Sequence, residues 1–417
     1  MGIILILAAV SLHETMGASP SFCPLIWDSG GVPAVAAISA RGDYIAFGYN
    51  TGLAYYNLSG AAPIWVRNDA TSWIFEVSIS SDGHYLTIGG PGLLRVQLFS
   101  NNGNTSLWSF TPPRFPTAQE SSSSLGYLST AVSGDGRYLA AYAYWPQLQD
   151  TLYLFNASSG KRLWSYDMAL PSAFAYPRVE ISQDGGHLAI FNPATDTLSL
   201  FSDHNNSTVW ALRYSHINAD PNFNRPTIRM SSDGNHVAVA DWNSIDIFGS
   251  ASNNTLTTFD VAGPLQDLEM SQDATTIATI DSTRSLHVYD LPSRALLFAT
   301  VALQVQGVAL DQNGSRIVSA GLGTVYDRSG RSICTLLAAS GPVAISANGR
   351  IATGGSVLYA IVSSPPQSSG LGFVAIWAIL ATSVLGVYTV VLGFSWVRWR
   401  ALERQSKHGR SSQRVDR

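Results

Sequence analysis

A short phrase recurs eight times along this chain and constrains its fold more than any other feature. In four copies an apolar residue is followed by Ser, one spacer, Asp and Gly, and the serines are Ser80, Ser133, Ser182 and Ser231. Degenerate copies stand at Ser39, Ser271, Asp311 and Ser346, so that successive copies lie 35 to 53 residues apart. Repeats of this length are typical of arrays of one supersecondary unit. The chain is therefore predicted to be such an array.

Each copy is followed by short runs of strand-forming residues in a constant order. In one repeat these runs are 138–141, 152–155 and 163–166, and turn-forming residues separate them. Together with the run before the turn, they predict a four-stranded antiparallel meander. A single meander cannot bury both of its faces, but meanders arranged radially cover one another, as the blades of a β-propeller do.

The two ends of the repeat region predict the number of blades. The last copy has only three strand-like runs, whereas residues 24–27 form a fourth-strand pattern with no blade before it. Trp27 lies 12 residues before Ser39, the same spacing that separates Cys334 from Ser346. We therefore predict an all-β fold, an eight-bladed β-propeller over residues 22–362 that is closed by an N-terminal strand.

The chain ends indicate a single-pass protein of the cell membrane. Residues 1–18 contain an apolar run too short to span a bilayer and are predicted to be a signal peptide. Residues 371–397 carry no charge and are long enough for a transmembrane α-helix. Residues 398–417 are rich in Arg, so the positive-inside rule predicts a cytoplasmic tail and an extracytoplasmic propeller. A linker, 363–370, joins the propeller to the helix.

One blade carries the sharpest family resemblance. The stretch 155–164, with Ala157 and Gly160 before Trp164, resembles the quinoprotein-type (PQQ-like) repeat and its docking Trp, and the unit as a whole resembles WD-repeat-like propellers. Several archaeal and bacterial surface proteins look similar, with a signal peptide, a propeller and one C-terminal helix. Quinone dehydrogenases of the family need a vicinal disulfide and a calcium site. The only cysteines here are Cys23 and Cys334, so the resemblance implies the scaffold and no cofactor.

The recurring phrase itself predicts a turn rather than a chemical site. Asp bonds its own turn backbone and Gly adopts positive φ, whereas calcium needs about six converging oxygen ligands. The sequence contains no Cys-x-x-Cys pair, no phosphate-binding Gly loop and no Gly-x-Ser-x-Gly elbow. A propeller enzyme, an oxidoreductase or a hydrolase with its site at the central channel, stays open as an alternative. A metal site and a nucleic-acid partner are not expected.

Cysteines and glycosylation motifs are the candidate covalent features. Cys23 and Cys334 would lie on outer strands of neighbouring blades, where a disulfide would staple the ring. Radial divergence of these strands opposes the required Cα separation of about 7 Å, so two separate thiols are the favoured interpretation. Asn-x-Ser/Thr motifs mark candidate glycosylation sites, with plain turn chemistry as the alternative, and they begin at Asn57, Asn104, Asn156, Asn205, Asn206, Asn253 and Asn313.

Unequal loops predict a binding side. The connections that follow Trp108, Trp164 and Trp210 are the longest, and insertions on one face of an array often mark its binding face. We expect this face to point away from the membrane and to bind a protein or a glycan. One alternative is that the aromatic residues of these loops only pack the loops onto the blades. Another is that the protein is a structural component of the cell envelope with no specific ligand. The candidate binding residues are Phe110, Phe115, Tyr144, Trp145, Phe174, Tyr176, Tyr214, His216 and Phe223.

Overall fold

The computed structural model describes residues 22–362 with fourteen short gaps. The gaps are 51, 69–72, 114–125, 146–149, 169–177, 193–194, 196, 203–205, 214–226, 241–242, 262, 302–306, 322 and 338–340. The predicted signal peptide, linker, transmembrane helix and tail all lie outside the described residues. Within the described part of the chain, no helix has the length and apolar character needed to cross a membrane.

Among the described residues, thirty-two strands form eight four-stranded antiparallel meanders, numbered here as blades 1 to 8. Blade 1 consists of β2 (Val35–Ile38), β3 (Tyr44–Tyr49), β4 (Gly52–Asn57) and β5 (Trp65–Asn68), and blade 2 of β6 (Glu76–Ile79), β7 (Tyr85–Pro91), β8 (Val96–Ser100) and β9 (Gly103–Phe110). Blade 3 consists of β10 (Tyr127–Val132), β11 (Tyr138–Tyr144), β12 (Thr151–Asn156) and β13 (Arg162–Asp167), and blade 4 of β14 (Arg178–Ile181), β15 (His187–Asn192), β16 (Thr197–Ser202) and β17 (Thr208–Arg213).

Blades 5 to 8 continue the same order, and β1 completes the last of them. Blade 5 consists of β18 (Ile228–Met230), β19 (His236–Ala240), β20 (Ser244–Gly249) and β21 (Ser252–Asp260), and blade 6 of β22 (Leu265–Met270), β23 (Thr276–Asp281), β24 (Ser285–Asp290) and β25 (Leu296–Val301). Blade 7 consists of β26 (Val308–Leu310), β27 (Arg316–Ser319), β28 (Thr324–Asp327) and β29 (Ser332–Thr335), and blade 8 of β30 (Val343–Ile345), β31 (Ile351–Gly354), β32 (Val357–Ala360) and β1 (Leu25–Asp28).

The first strands of the meanders form a closed inner ring. Each first strand contacts the first strand of the next blade, and β2 of blade 1 contacts β30 of blade 8. Strand β1 pairs antiparallel with β32, with Leu25 opposite Tyr359 and Asp28 opposite Val357. The prediction of an all-β propeller is confirmed, and the observed meanders agree with the eight copies of the repeat.

The recurring phrase forms the turn between the first and second strands. In blade 2, the Ser80 hydroxyl donates to Asp82 Oδ1 at 2.6 Å and accepts the Tyr85 N–H at 3.0 Å. Gly83 adopts a φ of 76°, which a side chain would disfavour. The equivalent serines of the other blades are buried, and Asp311 replaces the serine in blade 7 by accepting the Arg316 N–H.

A closed belt of backbone hydrogen bonds joins these turns around the ring. In each turn an N–H just after the Ser position donates to the carbonyl of the turn in the next blade. The belt closes where Asn348 of blade 8 donates to Ala40 of blade 1. All eight bonds measure 2.8 to 3.4 Å. The other seven, each from N–H to carbonyl, are Ala40 to Ser81, Ser81 to Gly134, Asp135 to Gln183, Gln183 to Ser232, Ser232 to Gln272, Asp273 to Gln312 and Gln312 to Ala347.

Tryptophans of the fourth strands bridge neighbouring blades on the outer side. Their indole N–H groups donate to carbonyls near the end of the third strand of the next blade: Trp27 to Leu58, Trp65 to Ser100, Trp108 to Ala157 and Trp210 to Ser250. Trp27 of β1 makes this contact from blade 8 to blade 1. The N-terminal strand therefore makes the same contact as the fourth strands of blades 1, 2 and 4.

The structure joins Cys23 to Cys334 in a disulfide with a Cα separation of 5.0 Å. The expected divergence of the outer strands does not keep the two residues apart, because the chain just before β1 runs beside the end of β29. Phe22 forms a parallel bridge with Thr335, and the Cys23 N–H donates to the Thr335 carbonyl at 3.0 Å. The expectation of two separate thiols is wrong for this reason.

Candidate functional site

The inner strands surround a central cavity of about 620 Å³ with two unlike walls. Blades 7, 8 and 1 contribute small apolar residues, including Val308, Ala309, Pro342, Val343, Ala344, Ala34 and Val35. Blades 2, 4, 5 and 6 contribute the charged residues, which are Glu76, Arg178, Glu180, Arg229, Asp267 and Glu269. The convergent polar groups make this cavity a candidate ligand site.

The charged residues occupy two positions of the repeat. Glu180, Arg229 and Glu269 each stand two residues before the turn serine, whereas Glu76, Arg178 and Asp267 stand four residues before it. In a strand, residues two apart lie on the same face. The ring therefore stacks these side chains in two layers around its axis.

Part of this charge satisfies the free edges of the inner strands. The inner edge of a first strand has backbone N–H groups that need partners, and only Tyr127 and Leu128 of β10 pair there with a described strand, opposite Pro91 and Gly90 of β7. Glu76 accepts the Thr130 N–H at 3.3 Å and also the hydroxyls of Tyr127 and Ser129 at 2.9 Å, and Asp267 accepts the Val308 N–H at 3.0 Å. Glu76 and Asp267 therefore have structural roles.

Burial raises the pKa of Glu76, although Arg178 and the hydrogen-bond donors around the carboxyl work to lower it. The three donors and the nearby guanidinium favour the charged form, whereas the dry surroundings favour the neutral form. The carboxyl is thus tied to the neighbouring blade in either state.

Arg229 is the centre of the ion pairs in the cavity. Its guanidinium lies 2.7 Å from Glu269 Oε2, 3.4 Å from Glu180 Oε1 and 3.8 Å from Asp267 Oδ1. Burial by itself would lower the pKa of Arg229, but the three carboxylates outweigh burial and raise it. Burial raises the pKa of Glu269, and Arg229 opposes that rise. Arg178 pairs with Glu180 at 3.0 Å, so that blades 4, 5 and 6 share one connected network.

The arrangement suits binding better than acid–base chemistry or metal ligation. Arg229 occupies the point on which Glu180, Asp267 and Glu269 converge. Among the described residues, no group of His, Cys, Asp and Glu could hold a metal ion. His287 pairs with Asp281 at 3.1 Å, but this pair does not line the cavity, and Asp281 also binds Thr283 and Ser285 in its own turn.

Three of the nine predicted binding aromatics are described, and they pack inward. Tyr144 is fully buried and Trp145 is 8 % exposed, while Phe110 packs on Tyr153 and Phe155. These three support the packing alternative rather than an exposed binding surface. Phe115, Phe174, Tyr176, Tyr214, His216 and Phe223 lie outside the described residues.

Trp145 is buried because a glycine leaves room for its ring. A Cβ at Gly126 would come within 1.9 Å of the Trp145 ring, so the indole lies directly against the Gly126 backbone. The close approach depends on the missing side chain. The sequence pattern around Trp145 does not predict this contact with Gly126.

Two exposed aromatic residues instead lie beside the cavity, on a loop that the sequence pattern did not indicate as a binding site. Trp73 and Phe75 are 55 % and 38 % exposed, and their rings lie 5.9 Å apart. They precede β6 and so belong to the face that carries the connections between blades, here called the loop face. Phe75 also lines the cavity. Their position directly before a first strand is the signal that could have identified them.

The glycosylation motifs lie on the opposite side, here called the turn face, and several have a structural role. The side-chain amides of Asn104, Asn206 and Asn253 donate to carbonyls of the preceding blade's fourth strand. The side-chain oxygens of Asn57, Asn156 and Asn313 accept hydrogen bonds within their own turns. Asn205 lies outside the described residues. These contacts agree with turn chemistry and leave the use of the motifs untested.

Comparison with known proteins identifies the fold class. No protein-family model matches the chain, and no curated protein matches it. By structure the chain is similar to the β-propeller domain of Cps50 (Swd1) from Myceliophteria thermophila, at 12 % identity over 73 % of this chain and 97 % of that one, with a TM-score of 0.54. It is also similar to the C-terminal WD40 domain of Sif2, at 13 % identity over 81 % and 99 %, with a TM-score of 0.59. At such identities the likeness shows a WD-repeat-like propeller fold alone.

Proposed function

We propose that this chain is a membrane-anchored, extracytoplasmic scaffold that binds a protein partner on its loop face. The exposed pair of Trp73 and Phe75 beside an open cavity carries this proposal. Aromatic residues are enriched at protein interfaces, where they supply apolar area with few degrees of freedom. A glycan is the second candidate partner, since aromatic rings also present flat apolar surfaces.

Several further observations support the extracytoplasmic location. The Cys23–Cys334 disulfide is of the kind found in oxidising compartments, and the uncharged segment 371–397 is followed by an Arg-rich tail. The quinoprotein-type resemblance of blade 3 stays a prediction. A propeller enzyme is the weaker alternative, because each cavity carboxylate has one oxygen engaged by Arg229 or by a backbone N–H group.

The docking surface can be tested by site-specific photo-crosslinking in the full-length chain. A photoreactive residue at Trp73 should form an adduct with the partner, whereas the same residue at Leu107, exposed on the outer strand of blade 2, should not. Digestion of the adduct by a protease or by glycosidases distinguishes a protein from a glycan. Equal adducts from both positions, or none from Trp73, would contradict the proposed surface.

The location can be tested with the chain's two lysines. Lys161 is exposed in blade 3, and Lys407 lies in the C-terminal tail. A membrane-impermeant amine reagent should label Lys161 in intact cells and should reach Lys407 only after lysis. Labelling of Lys407 in intact cells would overturn the predicted orientation.

Because the propeller is proposed to lie outside the cytoplasm, we also propose that the seven Asn-x-Ser/Thr motifs are glycosylated. Treatment of the purified chain with an endoglycosidase should lower its apparent mass. An unchanged mass would leave the asparagines with their turn and inter-blade hydrogen bonds alone.

A further inference from the structure

The central cavity has the features of a binding site for an organic cation with an aliphatic stem. Four carboxylates and two guanidiniums line it, which leaves two negative charges when all six groups are ionised. Since the carboxylates outnumber the guanidiniums, the net potential of the cavity attracts positively charged ligands. The balance of charge therefore favours a cation over an anion.

Two of the carboxylates keep an oxygen available for a ligand. Glu180 binds both arginines through Oε1, and Glu269 binds Arg229 through Oε2. The second oxygen of each side chain has no hydrogen-bond partner among the described residues, and the two side chains are 22 % and 27 % exposed. Glu76 and Asp267 differ, because backbone N–H groups of the next blade engage them.

The kind of cation follows from the shape of the network and from the opposite wall. The carboxylates do not converge on a vacant point, since Arg229 lies among them, and no described group could hold a metal ion. Across the cavity, blades 7, 8 and 1 contribute uncharged lining residues, among them Ala309, Pro342 and Ala344. Apolar surface of this kind suits an alkyl chain, while a planar guanidinium or an ammonium suits the free carboxylate oxygens.

We propose that this cavity binds a guanidinium or ammonium group on an aliphatic stem, with the charged head at Glu180 and Glu269 and the stem on the wall around Ala344. The ligand is either a free small amine or a basic side chain that a partner inserts from the loop face. This proposal stands without the docking surface at Trp73, because its residues lie inside the ring.

Calorimetric titration of the full chain in detergent tests the proposal, with n-butylguanidinium as the probe. Butanol and pentanoate, which have similar stems but no positive charge, should bind at least about tenfold more weakly. Glu180→Gln and Glu269→Gln should each weaken the probe by about tenfold, since each removes a charged hydrogen-bond acceptor. Asp260→Asn is the matched control, because it removes one negative charge on an exposed outer strand and should leave binding unchanged.

Ala344→Leu provides a second variant that touches no ion pair. The added carbon atoms occupy the apolar side of the cavity, so butylguanidinium should bind more weakly while the fold keeps its charge network. A capped five-residue peptide with a single Arg between alanines distinguishes the two sources: tighter binding than butylguanidinium points to a partner's side chain, and equal or weaker binding to a free small molecule. Equal affinities for butylguanidinium, butanol and pentanoate, or unchanged affinity in both Gln variants, would overturn the proposal.

Discussion

Asp150 shows how one buried carboxyl can couple this fold to pH. It is fully buried directly before β12, where its Oδ2 accepts the Tyr142 hydroxyl at 2.7 Å and its Oδ1 accepts the Trp145 N–H at 3.3 Å. Burial raises the pKa of Asp150 to about 7, although both hydrogen bonds work to lower it. The neutral and charged forms of this side chain are therefore both populated near neutral pH.

The sign of the resulting pH dependence follows from proton linkage. Asp150 binds its proton more tightly in the folded chain, so its contribution to stability is full below a pH of about 4 and is lost as the pH rises through about 7. Between about pH 5 and about pH 8, the free energy of unfolding of the wild type should fall by up to about 3 kcal/mol relative to Asp150→Asn. Urea unfolding at several pH values measures this difference, and parallel profiles of the two proteins would contradict it.

The turn serine is a second residue whose effect can be measured. Ser133 is buried, donates to Asp135 Oδ1 at 2.7 Å and accepts the Tyr138 N–H at 3.0 Å. Ser133→Ala should cost about 1 to 3 kcal/mol, because it leaves the half-buried Tyr138 N–H without its acceptor. In blade 7, Asp311→Ser should cost less than Asp311→Ala, since serine restores the acceptor. Chemical denaturation gives these values, and equal costs for the two Asp311 variants would argue against the mechanism.

In four blades a tryptophan of the fourth strand ties that strand to the next blade. In β9, Trp108 donates to the Ala157 carbonyl at 2.6 Å and its ring lies 5.3 Å from that of Phe155, so one side chain ties blade 2 to blade 3. The same contact recurs at Trp27, Trp65 and Trp210. The strand that carries each Trp is thereby fixed to the next blade.

Truncation of this tryptophan should be far more costly than truncation of its neighbour. Trp108→Ala should destabilise the chain by about 3 to 5 kcal/mol, and Trp108→Phe by less, because it keeps a ring and loses the hydrogen bond. Leu107→Ala is the control, since Leu107 is exposed on the same strand and its loss should change stability by about 0.5 kcal/mol or less. Similar unfolding midpoints for Trp108→Ala and Leu107→Ala would refute the role of the indole.

At the scale of the whole molecule, three separate devices close the ring. Strand β1 completes blade 8, the belt of turn hydrogen bonds returns from Asn348 to Ala40, and the disulfide joins Cys23 to Cys334. The disulfide closes a loop across a sequence separation of 311 residues. Since long loops have the most conformational entropy when the chain is unfolded, this cross-link limits the unfolded state strongly.

Loss of the disulfide should therefore be costly without changing the fold. The double variant Cys23→Ser with Cys334→Ser should lose about 2 to 5 kcal/mol of unfolding free energy. A reducing agent should lower the melting temperature of the wild type toward that of the variant and leave the variant unchanged. Identical melting curves for the wild type with and without reductant would show that the cross-link adds nothing.

The sequence by itself determined the blade, the turn and the closing strand. These features depend on local chemistry: a serine that reaches an N–H five residues ahead, an aspartate in its own turn, and apolar runs with strand periodicity. Because these interactions span a few residues and recur in each repeat, the sequence pattern is sufficient to predict them. The N-terminal strand was predictable for the same reason, as its spacing repeats that of the last blade junction.

Only the tertiary structure decided which of these repeated positions meet. Arg229 lies 49 residues from Glu180 and 40 from Glu269 along the chain, and closure of the ring brings their equivalent repeat positions onto one axis. Cys23 and Cys334 approach each other because the chain before β1 crosses to blade 7, whereas a radial picture of the strands predicted divergence. Trp145 is buried because Gly126 leaves space for it. Each of these outcomes depends on packing between segments distant in sequence, which residue spacing within one repeat does not encode.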